Sequence, residues 1–160
     1  MRGVILLAFA LATGGVSPRI TRSPSAPPGP PATIAVLAFT STDAQGASAA
    51  DGCTEAVLEA GVRVVERQRV DAVLAEHTES RSGEMSAESY QELGRLLGAD
   101  AFIVGSYDGA GFLDPGNLAV RLVQASTGDV VIMGSRPASG NAINDGRATC
   151  ADLLRALAGR

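Results

Sequence analysis

His77 is the one side chain in this sequence that could act as an imidazole base near neutral pH. It ends a helical pattern beside Glu76 and Glu79, a setting that reads as a solvated surface histidine rather than a proton shuttle. Ser106 lies in Gly105-Ser106-Tyr107-Asp108-Gly109, which is not the Gly-x-Ser-x-Gly elbow that presents a nucleophile in hydrolases. A zinc site needs several Cys or His ligands at short spacing, and two distant cysteines with one histidine cannot supply it. The chain has no lysine to reach a phosphate and no Gly-x-Gly-x-x-Gly after its first apolar run, so neither common nucleotide loop is available. Glu66, Asp71, Glu88 and Glu92 fall on helical faces with Arg67, Arg69 and Arg95 nearby, the pattern of surface charge pairs rather than of a general acid and base. Glu66-Arg67 sits where a strand hands over to a helix and reads as a cap or salt bridge. The expectation is a non-enzymatic protein with no catalytic residue, no cofactor and no metal.

Cys53 and Cys150 are the remaining reactive groups, and what they do depends on the compartment. Arg2 precedes an apolar run, Val4 to Ala12, too short to span a bilayer and closed by Ala10-Leu11-Ala12 and the small residues Thr13, Gly14 and Gly15. Residues 1–16 therefore read as a secretory signal peptide, and the protein as exported, to the periplasm or the outer membrane. In that oxidising setting Cys53 and Cys150 can pair; in the cytosol they would be two buried thiols.

Residues 17–32, rich in Pro and Ser and without hydrophobic periodicity, read as a linker. Residues 33–160 are then a single domain. With 46% hydrophobic residues the chain can bury a core, and with 4% aromatics that core is built from Val, Leu, Ile and Ala. A net charge of -4 disfavours a nucleic-acid surface.

Thr33 to Phe39 is a continuous apolar run suited to a central strand covered on both faces. Ser48 with Asp51 marks a helix start, Cys53, Ala56, Val57 and Ala60 share its apolar stripe, and Gly61 ends it. Val62 to Val65 is a second strand. Val70, Val73, Leu74 and His77 make one face of the next helix. Ser86 caps another, with Glu88 in its first turn, Tyr90, Leu93 and Leu97 as its buried stripe, and Gly98 as its stop. Ala101 to Asp108, Leu118 to Gln124 and Val130 to Met133 are strands, and a last helix starts near Asn144 or Asp145 with Cys150, Leu153, Leu154 and Leu157 inward. The fold class is α/β: a single three-layer domain, β-α-β-αα-β-β-β-α, with a five-stranded mixed sheet and helices on both faces. Right-handed crossovers give the strand order 2-1-3-4-5, parallel first and antiparallel later. Two antiparallel steps then make strand five parallel to strand one. The helices that follow those strands start at the same sheet edge, which brings Cys53 and Cys150 within reach of each other if both helices share a face.

IAVLAF, VRVVERQRVDAVLAEH, LGRLLGADAFIVGSY and AVRLVQASTGDVV, in this order, resemble the CsgG, LpoB and TolB N-terminal superfamily of bacterial envelope proteins over roughly Thr33 to Ser135. Val64-Val65-Glu66-Arg67, Leu96-Leu97-Gly98-Ala99-Asp100, Gly105-Ser106, Arg121-Leu122-Val123 and Thr127-Gly128 carry the likeness. The resemblance implies a non-enzymatic accessory role in curli export, peptidoglycan-synthase activation or a larger periplasmic assembly, with another envelope protein as partner. Two departures bound it: Gly14 stands where a lipobox cysteine is expected, and no alternating segments of about 10 residues are to spare for a transmembrane pore. Phe112 and Leu113, in a loop otherwise of Gly, Asp, Pro and Asn, are the expected partner-contact anchors. The rival reading is a small-molecule binder or enzyme using the crevice at the strand carboxyl ends. The oligomeric state is not legible at this level.

Overall fold

The computed structural model describes residues 18–42, 44–77, 85–109 and 116–159. Phe112 and Leu113 lie outside the described residues, as do residues 1–16, the stretch read as a signal peptide. Six strands, β1 (Arg19–Arg22), β2 (Thr33–Val36), β3 (Arg63–Val64), β4 (Ala101–Asp108), β5 (Asn117–Gln124) and β6 (Val130–Pro137), form one sheet in the order β1-β6-β5-β4-β2-β3. Four helices complete the fold: α1 (Gln45–Glu59), α2 (Arg67–Glu76), α3 (Ala87–Leu97) and α4 (Ala142–Leu157). β2 pairs parallel with β3 and β4, whereas β4-β5 and β5-β6 are antiparallel, so the five expected strands occupy the expected order.

The sheet has six strands, not five. The extra one, β1, comes from the stretch read as a linker: Arg19 to Arg22 run antiparallel to Ser135 to Ile132. Its one apolar residue, Ile20, packs into the main core and lies over Gly134, while Arg22 donates to the Pro27 and Ala156 carbonyls. A four-residue strand with a single apolar side chain shows no periodicity of its own. It forms because the eight-residue β6 otherwise leaves a long edge of unpaired backbone groups.

Local chemistry explains both ends of α3 and the start of α4. Ser86 accepts from the Ser89 N–H at 3.2 Å to start α3, and Gly98, at φ 65°, takes the left-handed turn that stops it. α4 begins earlier than expected, because Asn141 rather than Asn144 is its cap: Asn141 Oδ1 accepts from the Asn144 N–H at 3.2 Å. α1 also begins earlier, at Gln45 instead of Ser48, with no side-chain cap.

Two cores result. On one face α1 and α4 cover Ile34, Ile103, Tyr107, Val120, Leu122 and Ile132. On the other, α2 and α3 cover Ala35, Leu37, Phe102 and Val123, and no buried residue of this second cluster comes from β6 or β1. The second helical layer therefore stops partway across the sheet.

α1 and α4 cross in contact at their backbones. A Cβ on Gly52 would run into the Ile143 carbonyl oxygen and sit 2.8 Å from the Arg147 nitrogen, and one on Gly146 would strike the Ala49 backbone. Cys53 and Cys150 form a disulfide across this crossing, with Cα atoms 5.2 Å apart, within the ordinary range for a bridge. At the start of α4 the Asp145 carboxylate is buried; it accepts from the Ser139 N–H at 2.8 Å and the Tyr107 hydroxyl at 3.3 Å. It also lies in the first helical turn, where the helix dipole favours a negative charge. Asp145→Ala removes the acceptor from the buried Tyr107 hydroxyl and from the Ser139 N–H. It should lower unfolding stability by about 2 to 3 kcal/mol in a urea titration.

Candidate functional site

Where the second helical layer stops, the sheet carries a groove of about 510 Å³ between α2, α3 and the bare strands. Leu37 and Ala38 bring it to the carboxyl end of β2, and Gly105 and Ser106 line it from β4. Leu74, Met85 and Tyr90 form its helical wall, and Val104, Ala119 and Met133 its floor. Arg121 is the single charged residue in the lining, and no carboxylate is among the lining residues. Strand alternation accounts for this. Leu118, Val120 and Leu122 face the α1/α4 core, which turns Ala119 and Arg121 to the opposite face, where Arg121 stands directly across from Met133 on β6.

Tyr90 joins the groove to the second core. Its ring lies 5.5 Å from that of Phe102, and burial pushes its phenol above the ordinary range while the Arg121 guanidinium partly opposes that rise. Replacing Arg121 by Gln removes the opposing charge, so the Tyr90 phenol should titrate higher still in an NMR titration of the ring carbons. The corresponding stability is fully present below the ordinary tyrosine value of about 10 and is lost as pH rises through the folded value.

The residues singled out from the sequence fall elsewhere. His77 caps the C-terminal end of α2, with Nε2 3.5 Å from Glu92 Oε1. Glu66 is the N-cap residue of α2, and Arg67 beside it pairs with Asp51 at 3.1 Å and with Asp71 at 3.6 Å. Arg69 donates to the Leu96 carbonyl at 3.0 Å, tying α2 to the end of α3. The Glu88 carboxyl is held below its usual range, first by a hydrogen bond from its own backbone and then by one from Ser86. These are contacts within and between helices, and none reaches the groove. Ser106 does line the groove, but His77 is engaged with Glu92 and not with it. Among the described residues, no group of His, Cys, Asp and Glu could hold a metal ion.

Arg121, Met85 and Met133 were not singled out by sequence reasoning. Each looks ordinary alone, a charge on the wet side of a strand and two methionines far apart. The chain has only three methionines, and beyond Met1 the sequence gives no sign that Met85, just before α3, and Met133, on β6, meet at one surface.

Residues 32–108 match the family model of the curli production assembly/transport component CsgG. The chain is similar in structure to the PelC dodecamer from Paraburkholderia phytofirmans, at 18% identity and a TM-score of 0.54, covering 90% of this chain and 98% of that one. It is similar to lipoprotein GNA1162 from Neisseria meningitidis, at 24% identity and a TM-score of 0.53, over 66% of this chain and 81% of that one. It is also similar to the LpoB C-terminal domain from Escherichia coli, at 15% identity and a TM-score of 0.51, over 66% of this chain and 82% of that one. At these identities the likeness to solved structures is one of fold. No curated protein matches the sequence. The CsgG match runs from the start of β2 through β4, so it includes the groove's helical wall, while Ala119, Arg121 and Met133 lie beyond it. No helix among the described residues is long and apolar enough to cross a membrane.

Proposed function

We propose that this protein is a non-enzymatic, exported envelope accessory module that binds another cell-envelope protein in assembly, secretion or peptidoglycan synthesis. The observation that carries the reading is the groove: an open, largely apolar surface beside the edge of the α2/α3 layer, with Arg121 the one charged residue in its lining. Burial of this groove by a partner would remove apolar surface from water, and its two methionines can repack around different side chains. The CsgG match, to a curli production assembly/transport component, supports an envelope setting. A photo-reactive residue placed at Met133 should cross-link an envelope protein in intact cells. Cross-links that are unchanged when Arg121→Glu is introduced would put the partner surface elsewhere.

Phe112 and Leu113 are proposed as further contact anchors, between Gly109 and Gly116. Pull-downs with Phe112→Ala and Leu113→Ala should lose the partner; recovery of the wild-type set would remove them from the surface. Export is proposed on Arg2 and the Val4 to Ala12 run. N-terminal sequencing of native protein should find a start near Thr13 to Ser17, and an intact Met1 on a soluble cytosolic chain would end that idea.

The groove's position at the carboxyl end of β2 also favours a second reading, because open α/β sheets place small ligands at such edges, and its volume is within the range of ligand sites. A thermal-shift screen separates the two readings. A specific small molecule that raises the melting temperature in proportion to its occupancy supports ligand binding.

A further inference from the structure

We propose that the outer edge of β1 accepts an added strand, an extended acidic segment of another protein. The inference stands apart from the groove, because it uses the backbone at the sheet's edge and not the face.

β1 covers four of the eight residues of β6 and in doing so becomes the edge itself. The register fixes which of its backbone groups are already bonded. The Ser23 N–H donates to the Val131 carbonyl at 2.8 Å, and bonded residues alternate along an antiparallel ladder, so Thr21 and Arg19 also turn their backbone groups toward β6. Ile20 and Arg22 turn theirs outward. Among the described residues, no group donates to or accepts from those outward backbone atoms. Each of the two residues offers one donor and one acceptor, the set that an incoming strand completes. Pro18 and Pro24 flank the strand and have no N–H to give, so the open ladder is confined to Ile20 and Arg22. At the opposite edge β3 is only two residues long.

The side chains name the occupant. Arg19, Thr21 and Arg22 are exposed. Arg22 shares the α4 face of the sheet with Ile20 and donates to the Pro27 and Ala156 carbonyls, while Arg19 and Thr21 lie on the other face. Among the described residues, neither arginine pairs with a carboxylate. Edge cations guard a sheet against indiscriminate pairing. Two unneutralised guanidinium groups, one on each face, also set the charge of the strand that can dock. An antiparallel segment of the pattern Glu-Thr-Val-Glu places its acids opposite Arg22 and Arg19, its threonine opposite Thr21 and its valine opposite Ile20, each a favourable cross-strand pair. A second copy of β1 would bring four arginines and no acid to one short ladder, so the edge repels its own copy.

Amide hydrogen exchange, followed by NMR on the full disulfide-bonded chain, tests this. The probe is the capped peptide Thr-Glu-Thr-Val-Glu-Thr, and its counterpart carries Lys in place of both Glu. The acidic peptide should slow exchange at Ile20 and Arg22 while leaving Arg19 and Thr21, already bonded to β6, unchanged; the basic peptide should slow none of them. Arg19→Glu should weaken binding of the acidic peptide about tenfold. Arg22→Pro removes the outward N–H and should bind more weakly than Arg22→Ala, which keeps it. A protected Ser23 amide shows that β1 is still in place. Arg19→Glu alters no ladder bond and decides the question if the proline loosens the strand.

Equal effects of the two peptides overturn the proposal, as does protection of all four amides alike or binding unmoved by Arg19→Glu. So does a chain whose Ile20 and Arg22 amides are protected before any peptide is added, since copies would then be pairing at this edge. Capture through Met133 is read separately. A chain that binds the acidic peptide yet cross-links nothing at Met133 keeps the edge and loses the groove, and the converse result keeps the groove alone.

Discussion

Reduction of the Cys53–Cys150 disulfide, or its replacement by alanine at both positions, should lower unfolding stability by up to about 4.7 kcal/mol, the chain-entropy value for a loop of roughly this length. The bridge joins residues separated by 97 positions, so without it the unfolded chain regains the freedom of almost the whole domain. With a urea dependence of about 2 kcal/mol per molar, the midpoint should fall by about 2 M. This is a large fraction of a typical domain stability of about 5 to 15 kcal/mol. Both sulfurs are fully buried between α1 and α4, so alanine replacement also leaves a small cavity and adds to the loss. Equal midpoints with and without reductant, in protein whose thiols are shown to have been freed, would mean that the bridge contributes nothing. Intact-mass measurement after alkylation under non-reducing denaturing conditions gives the companion test: protein recovered from an oxidising compartment should present no alkylatable thiol.

Gly146→Val should be nearly as damaging, at about 3 kcal/mol, the upper end of what overpacking usually costs. Its side chain would occupy the place of the Ala49 backbone, and backbone cannot rotate aside as a flexible side chain can. Gly52→Val meets the Ile143 carbonyl from the other side and should behave in the same way. Either change forces α1 and α4 apart at the point where the disulfide holds them together. The loss should therefore differ from additive when a glycine replacement is combined with removal of the cysteines. Ser48→Ala, on the exposed face of α1, is the control and should move stability by no more than about 0.5 kcal/mol. If Gly146→Val unfolds at the same urea concentration as Ser48→Ala, the close crossing is not present in solution.

β4, Ala101 to Asp108, was legible to the residue, because the apolar run Ala101 to Val104 follows the helix stop at Gly98 and the stretch closes on Asp108 and Gly109. The α3 cap at Ser86 was equally legible, since a capping serine acts on a backbone N–H only three residues away. Strand parity placed the starts of the Cys53 and Cys150 helices at one sheet edge from the chain alone, but that α1 and α4 share a face, which joins the two cysteines, was decided by packing. Other features carry no such mark. Arg19 to Arg22 become a strand only because β6 offers an edge, and hydrogen bonds to a partner more than a hundred residues away leave no trace in the periodicity of four residues. The early start of α4 turned on which of two asparagines the end of β6 delivers to the cap, a choice made by tertiary position. The groove is the clearest case. Tyr90, Arg121 and Met133 come from three separate elements, and what makes them one surface is the stopping of the α2/α3 layer before β6. Amphipathic patterns say which face of each element is buried; how far one layer extends over another is decided only when the elements pack.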